Sequence, residues 1–283
     1  MKLYRNRKLK EALLKSGVPF SDNPVIFKES VRNTIFNNDE IKAVADDYLN
    51  GTDNSQLAKS IVRIKERWIE GLTKTDDMFI IANFILSALT KQSRRSYFVG
   101  GVNRDILAGK EPKDLDIVTD IPIDKIPGLL GDDFNYKFVG EHFGVIMVEK
   151  DKFTFEIANY RKDLDHNGVG ATNVDLGTFD DDWQRRDFTF NALYSNPITG
   201  QLIDPSQKGI DDALSKKIRF VGNADERIHE DAIRLLRFYK FIKKGFTPTK
   251  GTLSSIRKNF YRLCEAHPER IREHIELLSG LKD

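Results

Sequence analysis

The stretch GGVNRDILAGKEPKDLDIVT, residues 100–119, decides the fold of this chain. It follows SYFV, a short aromatic and β-branched segment that predicts a strand ending at Gly100 and Gly101. Glycines at such an end let backbone N–H groups approach phosphate oxygens, and a helix that follows adds its positive N-terminal end. The pattern therefore predicts a phosphate-binding turn, with an ordinary strand–turn–helix junction as the alternative.

Asp114 and Asp116 stand on either side of Leu115 in the same stretch. Because side chains alternate along a strand, a strand through both aspartates of PKDLDIVTD places the two carboxylates on one face. Such a pair can hold magnesium ions that also bind substrate phosphates during in-line displacement. Glu156, in the predicted strand FTFEIANYR, is the candidate third ligand. Taken alone, the Asp-Leu-Asp pattern is more typical of a solvated strand edge, so the metal prediction depends on the motifs around it.

Composition limits the class of protein. The chain has 283 residues, of which 40% are hydrophobic and 31% charged, as expected for a globular protein of about two domains. It contains neither an apolar run long enough to span a bilayer nor a secretory h-region, so we expect no membrane partner. A single cysteine, Cys264, excludes an intrachain disulfide and a cysteine-built zinc site, and favours a reducing cytoplasm. The net charge of +2 means that any RNA contact must come from local basic patches.

Periodicity along the chain predicts a central mixed α/β domain between two helical regions. A helix over MFIIANFILSALT leads into the first strand, and HFGVIMVEKDKFTFEIANYR predicts two strands joined by a tight Lys-Asp-Lys turn. Residues 163–178, rich in Gly, Asp and Asn without any period, predict a mobile loop. From Ala224 onward the pattern is helical, with breaks at Gly245 and Pro248.

Several motifs, in a fixed order, carry a family resemblance. GGVNRDILAGKEPKDLDIVT resembles the first signature of the class II tRNA nucleotidyltransferases and bacterial poly(A) polymerases. The others are the second signature RRDFTFNALY, the linking segment IDPSQKGIDDALSKKIRFVG, the base-selecting motif EDAIRLLRF and the neck-closing helix PERIREHIELL. The resemblance runs from about Asp76 to the C-terminus. Asn103 stands where the family usually has valine, Ala108 replaces a common leucine, and the acidic position after Arg161 is only loosely matched.

The resemblance implies an α/β + α fold. A nucleotidyltransferase head with a mixed β-sheet and helices occupies residues 76–203, and a helical, base-selecting neck occupies residues 204–283. Helical spacing of apolar residues predicts that residues 1–75 form an N-terminal helical extension, which the family pattern does not explain. Basic residues in this extension either bind RNA phosphates or belong to a solvated helix face balanced by acidic residues, and we favour the solvated face.

The resemblance also implies which residues bind the nucleotide. The implied set, beyond the glycine pair, is Arg104, Asp105, Arg185, Arg186, Asp187 and Asn191. Guanidinium forks suit triphosphate oxygens, and a carboxylate can accept a hydrogen bond from a ribose hydroxyl. Without FTFNAL behind it, the arginine pair would indicate only a basic surface patch.

Asp231 and Arg234 lie three residues apart on a predicted helix, a spacing that by itself is typical of a surface ion pair. The resemblance implies that they act instead as an amino-acid template for the base. The carboxylate accepts from the exocyclic amino group of cytosine or adenine, and the arginine donates to the ring nitrogen beside it. Uracil and guanine present a carbonyl and an N–H there, so both contacts become repulsive. Glu230 is predicted to orient the pair, and Arg237 either to reach phosphate or to brace the helix.

The loop predicted at residues 163–178 falls where the family carries a flexible element that helps to switch the site between bases. Its glycines suit hinge motion. A plain connector with no part in specificity is the alternative.

These motifs predict a Mg²⁺-dependent enzyme that adds nucleotides to an RNA 3′ end. The leading hypothesis is addition or repair of the CCA end of tRNA from CTP and ATP, with release of pyrophosphate. A poly(A) or oligo(A) polymerase is the alternative, because both activities share the same head and neck motifs. A hypothesis of another class is a non-catalytic RNA-binding protein on this fold. The retained charged residues argue against it, because an inert protein has no chemical need for them.

Overall fold

The structure is a computed structural model that describes residues 77–139, 144–166, 168, 170–196 and 201–280. The helical extension predicted at residues 1–75 lies outside these residues. Within them, no helix is both long and apolar enough to cross a membrane.

Strands and helices alternate up to residue 138, four further strands then follow one another, and helices dominate the second half of the described chain. The strands are β1 (Ser96–Val99), β2 (Asp116–Thr119), β3 (Asn135–Phe138), β4 (Val145–Lys150), β5 (Phe153–Asn159), β6 (Arg161–His166), β7 (Ala171–Leu176), β8 (Tyr194–Asn196), β9 (Gln201–Ile203), β10 (Lys217–Ile218) and β11 (Thr247–Pro248). The α-helices are α1 (Asp77–Gln92), α2 (Gly101–Leu107), α3 (Ile126–Leu130), α4 (Phe179–Gln184), α5 (Gly209–Leu214), α6 (Ala224–Glu230), α7 (Arg234–Lys243), α8 (Lys250–Asn259) and α9 (Pro268–Ser279). Short 3₁₀ helices cover Ile123–Lys125, Thr189–Asn191 and Phe260–Glu265.

A seven-stranded mixed sheet carries the site, in the order β3-β4-β5-β2-β1-β8-β9. Strand β2 pairs antiparallel with β1 and parallel with β5. The register aligns Val99 with Asp116 and Ile117 with Ile157, which brings Glu156 level with Asp116. This sheet confirms the expected fold class, while the domain boundaries stay a prediction.

One hydrophobic core contains residues of the sheet and of the helices that precede and follow it in the sequence. The inward face of α1 is fully buried, and α7 contributes Phe238 and Phe241 to the same core. The ring of Phe241 packs edge-on against Phe190, with ring centroids 4.7 Å apart. Because Phe190 lies in the 3₁₀ helix that precedes β8, this contact fixes α7 beside the sheet.

Gly209 marks the closest backbone approach in this core. A Cβ at this position would lie 2.4 Å from the carbonyl oxygen of Thr189 and 2.7 Å from Cδ2 of Leu193. We expect Gly209→Ala to lower the free energy of unfolding by about 1–3 kcal/mol, because neither neighbour can move without disturbing the core. Urea denaturation measures this loss.

Gly251, in the first turn of α8, provides the matched control. Nothing lies within 4 Å of a Cβ at that position. We expect Gly251→Ala to be neutral or to stabilise the protein by up to about 1 kcal/mol, since alanine restricts the unfolded chain. Equal unfolding midpoints for the two variants would contradict the steric explanation.

The prediction of a loop over residues 163–178 is wrong. Strands β6 and β7 form an antiparallel two-stranded sheet through much of this segment, with a register irregularity between Asp163 and His166. Both strands are largely exposed, and Leu164 and Leu176 are 47% and 68% exposed. Since neither face is buried, the alternation of apolar and polar residues that marks a strand is missing from the sequence.

Candidate active site

The site begins at the glycine turn after β1, as predicted. Gly100 has a φ of 75°, a conformation that residues with a side chain rarely adopt, and Gly101 starts α2. A Cβ on Gly100 would lie 3.7 Å from Oδ2 of Asp116. The glycine therefore allows the backbone to lie directly beside this carboxylate.

Three carboxylates meet next to this turn. Asp116 is half-buried at the start of β2, and Glu156 lies level with it on β5. Asp114 is exposed and precedes β2, which starts at Asp116, so the prediction that one strand carries both aspartates is wrong. Burial, together with the negative charges of Glu156 and Asp114, raises the pKa of Asp116 to about 6, against a smaller lowering by Arg186.

The described residues contain no group of three His, Cys, Asp or Glu side chains arranged to hold a metal ion. The assignment of Asp114 and Asp116 as metal ligands, with Glu156 as the third carboxylate, therefore stays a prediction.

A polar cavity of about 460 Å³ lies between this edge of the sheet and α7. It gathers most of the predicted nucleotide-binding residues: Gly100, Gly101, Arg104, Asp116, Arg185, Arg186, Asp187, Asn191, Asp231, Arg234 and Arg237. Asp105, Asp114 and Glu156 do not line it. The lining also includes residues that the sequence patterns do not single out as ligands: Asp163, His166, Lys240, Phe241, Lys244 and His274. Lys240, on α7, and Lys244, directly after it, follow Arg237 at helical spacing, and this spacing was the available signal in the sequence.

Arg104 lines the cavity, is buried, and is held in place by its neighbours. Its Nε and Nη2 donate to the carboxylate of Asp105, at 2.8 and 2.6 Å. Its Nη1 donates to Oδ1 of Asn191, at 2.7 Å, and the guanidinium lies over the ring of Phe241. Asp105 thus orients Arg104 from outside the cavity.

Asp187 is buried and connects this group to α7. It accepts a hydrogen bond from Nδ2 of Asn191, and its Oδ2 lies 2.9 Å from Nη2 of Arg237. Burial by itself would raise the pKa of Asp187, but Arg237 and hydrogen bonds from Asn191 and the Phe188 amide lower it. Asp187 is therefore ionised, and Arg237 reaches across from α7 to pair with it.

Arg185 and Arg186 line the cavity at the end of α4. Both donate to the fully buried carboxylate of Asp182, which the sequence patterns do not single out. The spacing of Asp182 from the two arginines, three and four residues, was the only signal in the sequence.

The prediction that Asp231 and Arg234 share one helix is wrong. Helix α6 ends at Glu230, Asp231 is extended with φ −151° and ψ 106°, and α7 begins at Arg234. Backbone hydrogen bonds to the tip of the β6–β7 hairpin cause the break. The N–H of Gly170 donates to the carbonyl of Glu230, and the N–H of Ala232 donates to the carbonyl of Gly168.

Asp231 and Arg234 both line the cavity, but each has a different partner. Arg234 is buried and donates to Oε2 of Glu230 at 2.6 Å and to the carbonyl of Arg185 at 2.7 Å. Asp231 accepts from Nη2 of Arg270, on α9, at 3.0 Å. Glu230 thus contacts the arginine of the predicted pair, and Arg270 contacts the carboxylate.

Residues 96–219 match the family described as the poly A polymerase head domain. The CCA-adding enzyme of Lactobacillus helveticus is 32% identical over 203 residues, which are 71% of this chain and 50% of that protein. The crystal structure of the Bacillus stearothermophilus CCA-adding enzyme in complex with CTP is 29% identical, with a TM-score of 0.64, and covers 73% of this chain and 49% of that chain. The crystal structure of a tRNA nucleotidyltransferase complexed with a primer tRNA and an incoming ATP analog is 29% identical, with a TM-score of 0.56. That match covers 69% of this chain and 55% of the other chain.

The chain spans about half the length of the relatives that it matches. The ordered motifs, the mixed sheet and these relatives together show that the chain belongs to the family of class II tRNA nucleotidyltransferases and bacterial poly(A) polymerases.

Proposed function

We propose that this protein adds nucleotides to RNA 3′ ends without a nucleic-acid template, completing or repairing the CCA end of tRNA from CTP and ATP with release of pyrophosphate. One observation carries the proposal. A single cavity of about 460 Å³ is lined by a half-buried carboxylate, an arginine pair and the two residues implied in base selection.

Asp114, Asp116 and Glu156 would supply carboxylate oxygens to a divalent cation such as Mg²⁺. Burial and the negative charges of Glu156 and Asp114 raise the pKa of Asp116, and Arg186 offsets this rise only in part. Oxygen donors with unbalanced negative charge are what Mg²⁺ prefers. When bound, the metal supplies positive charge to the attacking 3′ oxygen and the leaving pyrophosphate.

The remaining residues bind and orient the nucleotide. Arg185 and Arg186 present positive charge to the triphosphate, next to Asp116. Asp231 accepts from the amino group of cytosine or adenine, and Arg234 donates to the adjacent ring nitrogen. The anchoring of Arg234 to Glu230 and to the Arg185 backbone supports this role, because a base reader must be held rigidly to discriminate.

A poly(A) or oligo(A) polymerase is the second candidate. The match of residues 96–219 to the family described as the poly A polymerase head domain favours it.

The experiment that tests the proposal uses the full chain with Mg²⁺ and single labelled nucleotides. The acceptors are tRNA lacking its last three, two or one nucleotides, and an unstructured RNA. We expect two C residues and then one A to be added to the shortest tRNA, after which addition stops. Long A tails on the unstructured RNA would support the polymerase instead. Intact RNA binding without incorporation would overturn both and leave a non-catalytic RNA-binding protein.

A further inference from the structure

Asp182 lies at the centre of a buried hydrogen-bond cluster behind the cavity. Its Oδ1 accepts from Nε and Nη2 of Arg185, at 3.1 and 2.5 Å. Its Oδ2 accepts from Nε and Nη2 of Arg186, at 3.1 and 2.7 Å, and from the hydroxyl of Tyr194 at 2.7 Å. The side chain is fully buried and does not line the cavity.

Arg185 and Arg186 are each held along the Nε–Nη2 edge of the guanidinium group. Each uses Nε and Nη2 to bind Asp182, and Nε of Arg186 also donates to the hydroxyl of Tyr194. Among the described residues, Nη1 of Arg185 and Nη1 of Arg186 make no hydrogen bond within the protein, although both arginines line the cavity. Arg186 also lies close enough to Asp116 to lower the pKa of that carboxyl.

Asp182 keeps its charge at this buried position. Burial by itself would raise the pKa of Asp182, but the positive charges of Arg186 and Arg185 and the hydrogen bonds to the carboxylate lower it to about 2. One negative charge faces two positive ones, so the cluster keeps a net positive charge at the cavity wall. A carboxylate that bound a single arginine would instead cancel its charge.

We propose that Asp182 is a positioning residue for the triphosphate of the incoming nucleotide. By holding the Nε–Nη2 edges of Arg185 and Arg186, it turns their Nη1 groups towards the part of the cavity next to Asp116. This inference rests on the proposed function, because it takes a nucleoside triphosphate as the ligand. Arginine suits the task and lysine does not, since only a planar guanidinium has one edge for the anchor and another for phosphate.

Gln184 and Arg185, at the end of α4, also anchor the base-selecting side of the cavity through their backbone carbonyls. Arg227 donates to the carbonyl of Gln184, and Arg234 donates to the carbonyl of Arg185. A general disturbance of α4 would therefore affect base choice and triphosphate binding together. Loss of the Asp182 charge alone should affect only triphosphate binding, and this difference separates a positioning role from a merely structural one.

Asp182→Asn tests the proposal, with Asp181→Asn as the matched control. Asp181 is the adjacent, partly exposed aspartate, and its carboxylate caps α4 by accepting from Thr178 and is hydrogen-bonded to neither arginine. We expect Asp182→Asn to weaken equilibrium binding of CTP and of inorganic triphosphate by roughly tenfold or more, since it weakens charge-assisted hydrogen bonds that hold both arginines. Cytidine binding and the ratio of CTP to UTP affinity should not change. Asp181→Asn should bind all these ligands as the unchanged protein does.

Wild-type affinity for inorganic triphosphate in Asp182→Asn would overturn the proposal. A parallel loss of the CTP-to-UTP ratio would also overturn it, because that result indicates a structural role. If Asp182→Asn does not fold, Tyr194→Phe removes only the hydroxyl that donates to Asp182, and unchanged triphosphate binding in that variant counts against the positioning role. These are binding measurements, so a failure of nucleotide incorporation in the unchanged protein overturns the proposed function separately. Absence of triphosphate binding by the unchanged protein overturns both.

Discussion

Asp116→Ala is expected to reduce nucleotide incorporation by roughly a thousandfold or more. Asp116 is the half-buried carboxylate that lies beside the glycine turn and next to Glu156. Charge stabilisation by a bound metal is worth several kcal/mol, and about 1.4 kcal/mol corresponds to a factor of ten in rate. Incorporation of labelled CTP into a tRNA that lacks its CCA end, measured over a range of Mg²⁺ concentrations, determines this loss.

The fold of Asp116→Ala should remain intact. The pKa of Asp116 is raised to about 6 because burial and the charges of Glu156 and Asp114 disfavour its ionised form. The protonated form therefore stabilises the fold below about pH 4, and this contribution is lost as the pH rises through about 6. In the presence of a chelator above pH 6, the alanine variant should unfold at the same temperature as the unchanged protein or at a higher one.

Asp120→Ala is the control for this substitution. Asp120 is an exposed carboxylate directly after β2, and it does not line the cavity. Asp120→Ala should leave nucleotide incorporation unchanged. Normal turnover in Asp116→Ala would refute the metal assignment.

Arg234→Ala is expected to reduce discrimination between CTP and UTP by roughly an order of magnitude or more. A hydrogen-bonding site rejects the wrong base because that base leaves a polar group of the site without a partner. Without the Arg234 guanidinium, UTP no longer incurs this penalty. The ratio of kcat/KM for CTP to that for UTP measures the effect. Mg²⁺ dependence should change little, because Arg234 belongs to the base-selecting side of the cavity.

Two further variants sharpen this test. Arg234→Lys keeps the charge but loses the planar fork, so it should lose discrimination as well while leaving a partner for Glu230. Arg257→Ala removes an exposed arginine on α8 and should leave the ratio unchanged. An unchanged ratio in both Arg234 variants would contradict the template role.

Local signals in the sequence were sufficient for the glycine turn, for the strands that flank it and for the turn between β4 and β5. At that turn, Asp151 adopts a φ of 55°, in keeping with the tight Lys-Asp-Lys connection. These features depend on the conformational preferences of a few adjacent residues, and such preferences can be recognised without knowing what lies opposite in space.

Two wrong predictions, the continuous helix through Asp231 and the loop over residues 163–178, have the same physical origin. ADERIHEDAIRLLRF keeps apolar residues at helical spacing throughout, yet the helix breaks at Asp231 because Gly168 and Gly170, far away in sequence, pair with the backbone there. The hairpin itself was missed because its strands are exposed on both faces and so leave no apolar pattern. In both places a long-range backbone contact outweighed the local pattern.

By itself the sequence determined the family, the residues of the nucleotide motifs and the mixed sheet that carries them, because these depend on ordered local patterns. Only the tertiary structure decided which side chains meet. It pairs Asp231 with Arg270 and Arg237 with Asp187, and it places Asp182 behind the arginine pair. Hydrogen-bond partners distant in sequence are selected by the packing of helices against the sheet, and no single stretch of sequence contains that packing.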